Sequence, residues 1–274
     1  MQSVMVVLGV LFATAGIAAA DQSDRIRGIF EDLRQPDAIE ILSQEGISNA
    51  MVLVDGLIPV DSYDAWRARV AELYDPVALE QEVFETFRAV LVGQDMTAAA
   101  EFYQSELGHR IVDLELEARI DMQDPAIEQL ARGAVFSAMS NMPQRLRDVG
   151  VFIQTTNLID RNVAYGLNDS MAFYMGLADG GALDPSWTPD VIRQTVWSEE
   201  PFIRSGTMEW MNAYLYRAYQ PLSDEEMRIY LEFVQSPAGE VLNNAMYAAY
   251  DQAFVRINRE MGRFAAELML SSQL

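Results

Sequence analysis

Near the C-terminal end, Tyr247, Tyr250, Phe254, Ile257, Met261, Phe264 and Leu268 follow one another at steps of 3 and 4. Such spacing commits the segment to a helix with one buried face, because a half-buried strand would alternate every second residue. The same period recurs behind separate start signals. Asp75-Pro76 precedes Leu79, Val83, Phe87 and Val90, and Asp124-Pro125 precedes Ile127, Leu130, Ala134 and Ala138. Thr188-Pro189 precedes Ile192 and Val196. In each pair the oxygen side chain can cap free N–H groups, and proline sits where no N–H is needed. Ser223 to Glu226 spells a capping box ahead of Met227, Leu231 and Val234. Alternation is nowhere sustained, so the expected fold is all-α with about ten helices. Met51 to Val54 is the one candidate strand, and loops are expected over Asn141 to Gly150 and Ala178 to Pro189.

The chain also resembles itself. Shifted by 131 residues, Glu101-Phe102-Tyr103-Gln104-Ser105-Glu106-Leu107-Gly108 falls on Glu232-Phe233-Val234-Gln235-Ser236-Pro237-Ala238-Gly239, and Trp66 falls on Trp197. Seven of the 23 positions from Met96 to Ala118 are identical to their partners from Met227 to Ala249. Duplication is the economical explanation. It divides the chain into regions 21–145 and 146–274, with core motifs near 60–125 and 191–256, packed as one globular unit of two tandem repeats. The motif reads as a helix–corner–helix. Ser105 and Ser236 would cap the new helix, Gly108 and Gly239 would permit close approach, and Phe102 and Phe233 would anchor the corner. Glu101, Gln104, Glu232 and Gln235 complete the pattern as structural positions.

Composition removes several chemistries. The 274 residues include 19 arginines, 41 acids, one histidine, no lysine and no cysteine, for a net charge of −22. Zinc-finger, thiol-nucleophile, P-loop-lysine and Schiff-base mechanisms are therefore absent. Such acidity, unbroken by any basic stripe, repels phosphate backbones, so no nucleic-acid partner is expected. Half of the residues are apolar, enough for a packed core.

The first 20 residues carry no charge and run from an apolar stretch, Val4 to Ile17, into Ala18-Ala19-Ala20. The small-residue triplet fits a secretory signal cleaved after Ala20, placing the mature chain in the periplasm or outside the cell. No later stretch is long enough to span a bilayer: the most apolar, Met51 to Val60, is broken by Asp55, Gly56 and Pro59. Without cysteine, stability after export rests on packing.

The motif Phe102 to Gly108, seen again at Phe233 to Gly239, follows an acid-rich helix and precedes a long apolar one. In this the chain resembles the domain of unknown function 2059. That resemblance implies a helical domain in exported bacterial proteins, without assigned activity and without catalytic residues to carry over. The second copy departs from the pattern, with Val234 at the aromatic position and Pro237-Ala238 after the serine.

Four constellations bear on chemistry. Glu106 and His109 have the Glu-x-x-His spacing of di-iron bundles, but such a site needs two of these pairs, and Glu240 replaces the histidine in the second copy. Asp113, Glu115 and Glu117 could form a weak surface cation site, although a solvated acidic face is the simpler reading. Asp179-Gly180-Gly181 with Asp184 lacks the remaining ligands of an EF-hand. No G-x-S-x-G elbow accompanies the histidine. Met171, Phe173, Tyr174 and Met175 could line an adaptable apolar groove between the repeats or fill the core. The expected role is that of a non-catalytic binding or structural module of the bacterial envelope, acting without metal or cofactor on an unknown protein partner. The alternative is a chaperone-like binder of apolar ligands, using a Met- and aromatic-lined cleft. An exposed apolar patch would favour the first, and an enclosed apolar cavity the second.

Overall fold

The computed structural model describes residues 22–271, so the apolar run and its cleavage point lie outside the described residues. Among these the chain is all-α, with thirteen α-helices, one 3-10 turn at Val60–Ser62 and no strand. Helix α1 covers 22–32 and is followed by α2 (Gln35–Leu53), α3 (Tyr63–Leu73), α4 (Pro76–Leu91), α5 (Thr97–Tyr103) and α6 (Glu106–Asp121). Then come α7 (Pro125–Ala138), α8 (Gln144–Thr155), α9 (Leu158–Asp179), α10 (Pro189–Ser198), α11 (Glu200–Tyr219), α12 (Asp224–Val234) and α13 (Pro237–Ser271).

The start signals act as read. Asp75 accepts from the Ala78 N–H and Asp124 from that of Ala126, both at 2.8 Å, and Thr188 accepts from Val191 at 3.3 Å. Ser223 and Glu226 form the full reciprocal box. The candidate strand is not one: Met51 to Leu53 close α2, and Val54 is buried behind its C-terminus. With Ile39, Ser43, Ala50 and Val54 all buried, the helical period runs through to the end. The first expected loop is also short, since Pro143 ends it and α8 starts at Gln144.

The 35-residue helix α13 is the axis of the fold, flanked by α9 on one side and α4 and α3 on the other. Its buried face differs from the aromatic stripe in one respect. The fully enclosed line is Leu242, Ala245, Ala249, Ala253, Ile257, Met261 and Ala265, while Tyr247, Tyr250, Phe254 and Phe264 sit half-buried along its flanks. Alanine at the centre lets neighbouring helices close in, and the aromatics fill the wider gaps beside it. On α9, Gly176 crosses Gly262 so tightly that a Cβ at either would lie 2.1–2.2 Å from a carbonyl oxygen of the other helix. The main apolar core joins both regions, from Ile26 and Phe87 to Phe173 and Ile257. Trp66 lies fully buried in it, its indole N–H donating to the Ala50 carbonyl at 2.9 Å while the ring stacks on Phe264.

Candidate functional site

The two motif copies form two corners of matching geometry. Gln104 and Gln235 end their helices at the same dihedral angles, φ −80° and ψ −8°, with both side chains exposed. Ser105 Oγ accepts from the Gly108 N–H at 3.0 Å, and Ser236 Oγ from that of Gly239 at 3.1 Å. A Cβ at Gly108 would lie 2.2 Å from the Phe102 carbonyl oxygen, and one at Gly239 2.3 Å from that of Phe233. The corners meet back to back, with Phe102 and Phe233 stacked at 4.1 Å and 4°. Glu101 points to solvent, and Glu232 pairs with Arg228.

Beside the corners α6, α11 and α12 share one carboxylate. Glu115 Oε1 accepts from the hydroxyls of Tyr219 at 2.7 Å and Tyr230 at 3.0 Å, and Tyr214 donates to the Glu115 carbonyl oxygen. Burial raises the Glu115 carboxyl above the usual carboxylate range, against the two phenolic hydrogen bonds. Burial, with Glu115 next, likewise holds Tyr219 and Tyr230 well above 10, so both stay neutral donors. This lock joins three helices. Glu115→Ala would strand two buried hydroxyls and is expected to cost about 2–3 kcal/mol. Glu115→Gln keeps an acceptor and removes a charge disfavoured by burial, so it should cost less. Thermal melts at neutral pH check that order, and equal midpoints would refute it.

The other constellations do not assemble. His109 is exposed, 3.7 Å from Asp32, while Asp113 pairs with Arg34 at 2.7 Å, Glu115 turns inward and Glu117 faces solvent. Asp179 is claimed by Arg259 and Arg263, and Asp184 caps the Ser186 N–H. Among the described residues no three His, Asp or Glu side chains come close enough to share a metal ion. The expected cleft-lining cluster divides: Met171 and Met175 pack beside Val163, Leu167, Ile192 and Val196, while Phe173 and Tyr174 line a cavity between the end of α2, α9 and α13.

A second, more apolar groove is built from other residues. Helix α7 rests on α11 through Ala131 against Ala213. Of the face read as inward, Leu130 is 72% exposed and Ala134 is exposed too. Ala131 and Ala213 are buried at this seam with Val135, Trp210 and Tyr214 half-buried beside them, and the flanks of α7 are left bare. On one flank α7, α8 and α11 enclose a groove of about 780 Å³. Val135, Phe136, Met139, Met142, Leu146 and Met208 line it, with Phe136 80% and Met139 60% exposed. Its charged lining residues, Arg132 and Glu209, pair with each other at 2.9 Å. Three unbranched methionines and an open ring give a surface that adapts to apolar side chains and offers no free base or nucleophile. The sequence signal was present in the methionines at 139, 142 and 208, but nothing local showed that α7 would lack a cover.

Residues 78–135, from α4 into α7, match a family described as an uncharacterized protein conserved in bacteria, DUF2059. The match contains the first motif copy and reaches the edge of the groove. No curated protein and no solved structure matches the chain. Among the described residues no helix is long and apolar enough to cross a membrane.

Proposed function

We propose that the protein is a non-catalytic binding module of the bacterial envelope, whose groove between α7, α8 and α11 receives an amphipathic helix of another protein. The observation that carries this reading is the exposed apolar lining of the groove itself, Phe136 and Met139 on α7 beside Met142 and Met208. Contiguous patches of this kind mark interaction sites more often than they occur idly. A groove between helices takes a helix through anchors at i, i+3 and i+7. The occupant is a different protein because a second copy would bring another −22 charges against the first. For the same reason its outer face is basic. The paired state of Arg132 and Glu209 supports binding without catalysis.

The methionines favour one alternative, a chaperone-like binder that takes unfolded apolar segments of any sequence. Amide hydrogen exchange separates the two. A Leu/Lys amphipathic 18-residue helix should protect α7, α8 and α11 and little else. A non-helical peptide of the same composition protecting the same amides equally well would favour the chaperone-like role. For export, mass spectrometry of the protein from an expressing bacterium should find Asp21 as the first residue, and an intact Met1 peptide in the membrane fraction would contradict it.

A further inference from the structure

The cavity beside Phe173 and Tyr174, of about 460 Å³, opens between the end of α2, α9, the start of α11 and α13. Its apolar wall is Leu57, Phe173, Tyr174 and Leu177, and Tyr174 is stacked on Trp187 at 5.6 Å and 14°. Its charged lining is three carboxylates, Asp55, Asp169 and Glu199, with no arginine.

The contrast lies along α9 itself. On α9, Asp160 pairs with Arg204 at one end, and Asp179 pairs with Arg259 and Arg263 at the other. Asp169, between them, is held by Asn258 instead. The groups around it are Asp251 and Asn258 from α13, Tyr165 from its own helix, Tyr74 at the end of α3, and Asp55 and Glu199 at the cavity. None of these brings a positive charge, and Arg161, which reaches Tyr165, is bonded to Asn244 and lies over the Tyr247 ring. Burial, with Asp251 next, pushes the Asp169 carboxyl up to about 7. A raised carboxyl stabilises nothing: the fold bears its cost in full above about pH 7 and is relieved of it below the unfolded value near 3.8. The geometry sets Asp169 apart from the likewise raised Glu115, because Glu115 is closed in by three tyrosines and Asp169 lines an open cavity.

We propose that this cavity binds a small organic cation, a primary ammonium on a short alkyl body, with Asp169 as its counter-ion and the Tyr174 ring beside it. An inorganic cation does not fit as well, because it needs several converging oxygens, and no three acids among the described residues converge. The apolar wall instead suits methylene groups, and the aromatic face adds attraction for the ammonium.

Calorimetric titration of the full chain at pH 7.5 tests this, with hexylammonium chloride as the probe and hexan-1-ol as its neutral counterpart. Hexylammonium should bind about tenfold tighter than the alcohol, as expected for a charge-assisted contact, and should change Trp187 fluorescence. Asp169→Asn should erase that preference. The same variant should melt no lower than the native chain at pH 7.5, since it removes a charge that burial disfavours, and its advantage should vanish near pH 4. The comparison of amine with alcohol on the native chain stands even if the variant fails to fold. Equal affinity for the two, no binding of hexylammonium at millimolar concentration, or an undiminished preference in Asp169→Asn would each overturn the proposal.

Discussion

Gly262→Leu is expected to destabilise the protein by about 3 kcal/mol or more, the upper end of overpacking penalties. The reason is that the neighbours cannot yield. A Cβ at position 262 would sit 2.1 Å from the Phe173 carbonyl oxygen and 2.9 Å from Gly176 Cα, both backbone atoms of α9. Relief would require α9 and α13 to separate along the seam that joins Ala253, Ile257 and Ala265 to the core. Gly176→Leu meets the Arg259 carbonyl at 2.2 Å and should behave alike. Because the two replacements open the same seam, their combination should cost less than the sum. Urea denaturation of the two single variants and the double variant measures all three terms.

The corner glycines should show the next largest losses. Gly108→Leu and Gly239→Leu each force a side chain against the carbonyl of Phe102 or Phe233, at an expected cost of about 2–3 kcal/mol. Helix propensity alone would give the opposite sign, a gain of about 0.5–1 kcal/mol on replacing glycine. Gly206 provides the internal contrast, since nothing lies within 4 Å of a Cβ added there in the middle of α11. Gly206→Ala should therefore raise the melting temperature while the corner variants lower it. Raised midpoints in all three would show that the corners are not packed contacts.

Local signals in the sequence carried well into the fold, and non-local ones did not. Asp75, Asp124, Thr188 and Ser223 could be read as caps because a cap is decided within three residues. Met51 to Val54 misled because a short apolar run has no period of its own, and its helical register is set by Ile39 and Ser43 earlier in α2. Helix α8 was hidden by Gly150, which falls inside it among Leu146, Val149 and Phe152. On α13 the aromatics at steps of 3 and 4 marked the helix correctly, yet the central face belongs to alanines, whose value appears only once two helices flank it.

The sites were harder to see. Glu115 is one acid among 41, and only the fold brings Tyr219 and Tyr230 to it. Asp169 differs from Asp160 and Asp179 by what α13 and α11 fail to place beside it. Leu130 has the spacing of a core residue and faces solvent, because α7 meets α11 along the line of Ala131 and Val135 and no described residue covers the flank beside it. Periodicity tells which face of a helix is apolar, and cannot tell whether the partner that covers it is in the same chain.

That last point is the central claim, and titration of the Leu/Lys amphipathic helix tests it most directly. The comparison is between the native chain and a double variant, Phe136→Ser with Met139→Ser, which leaves the net charge unchanged. Both side chains are exposed, so the variant should melt within about 0.5 kcal/mol of the native chain. The account predicts that the peptide binds the native chain and that the double variant loses about a hundredfold or more in affinity, about the worth of two buried apolar anchors. Equal affinity for the two proteins would mean that the peptide is held by acidic surface elsewhere, and that the bare face of α7 is not where this protein meets its partner.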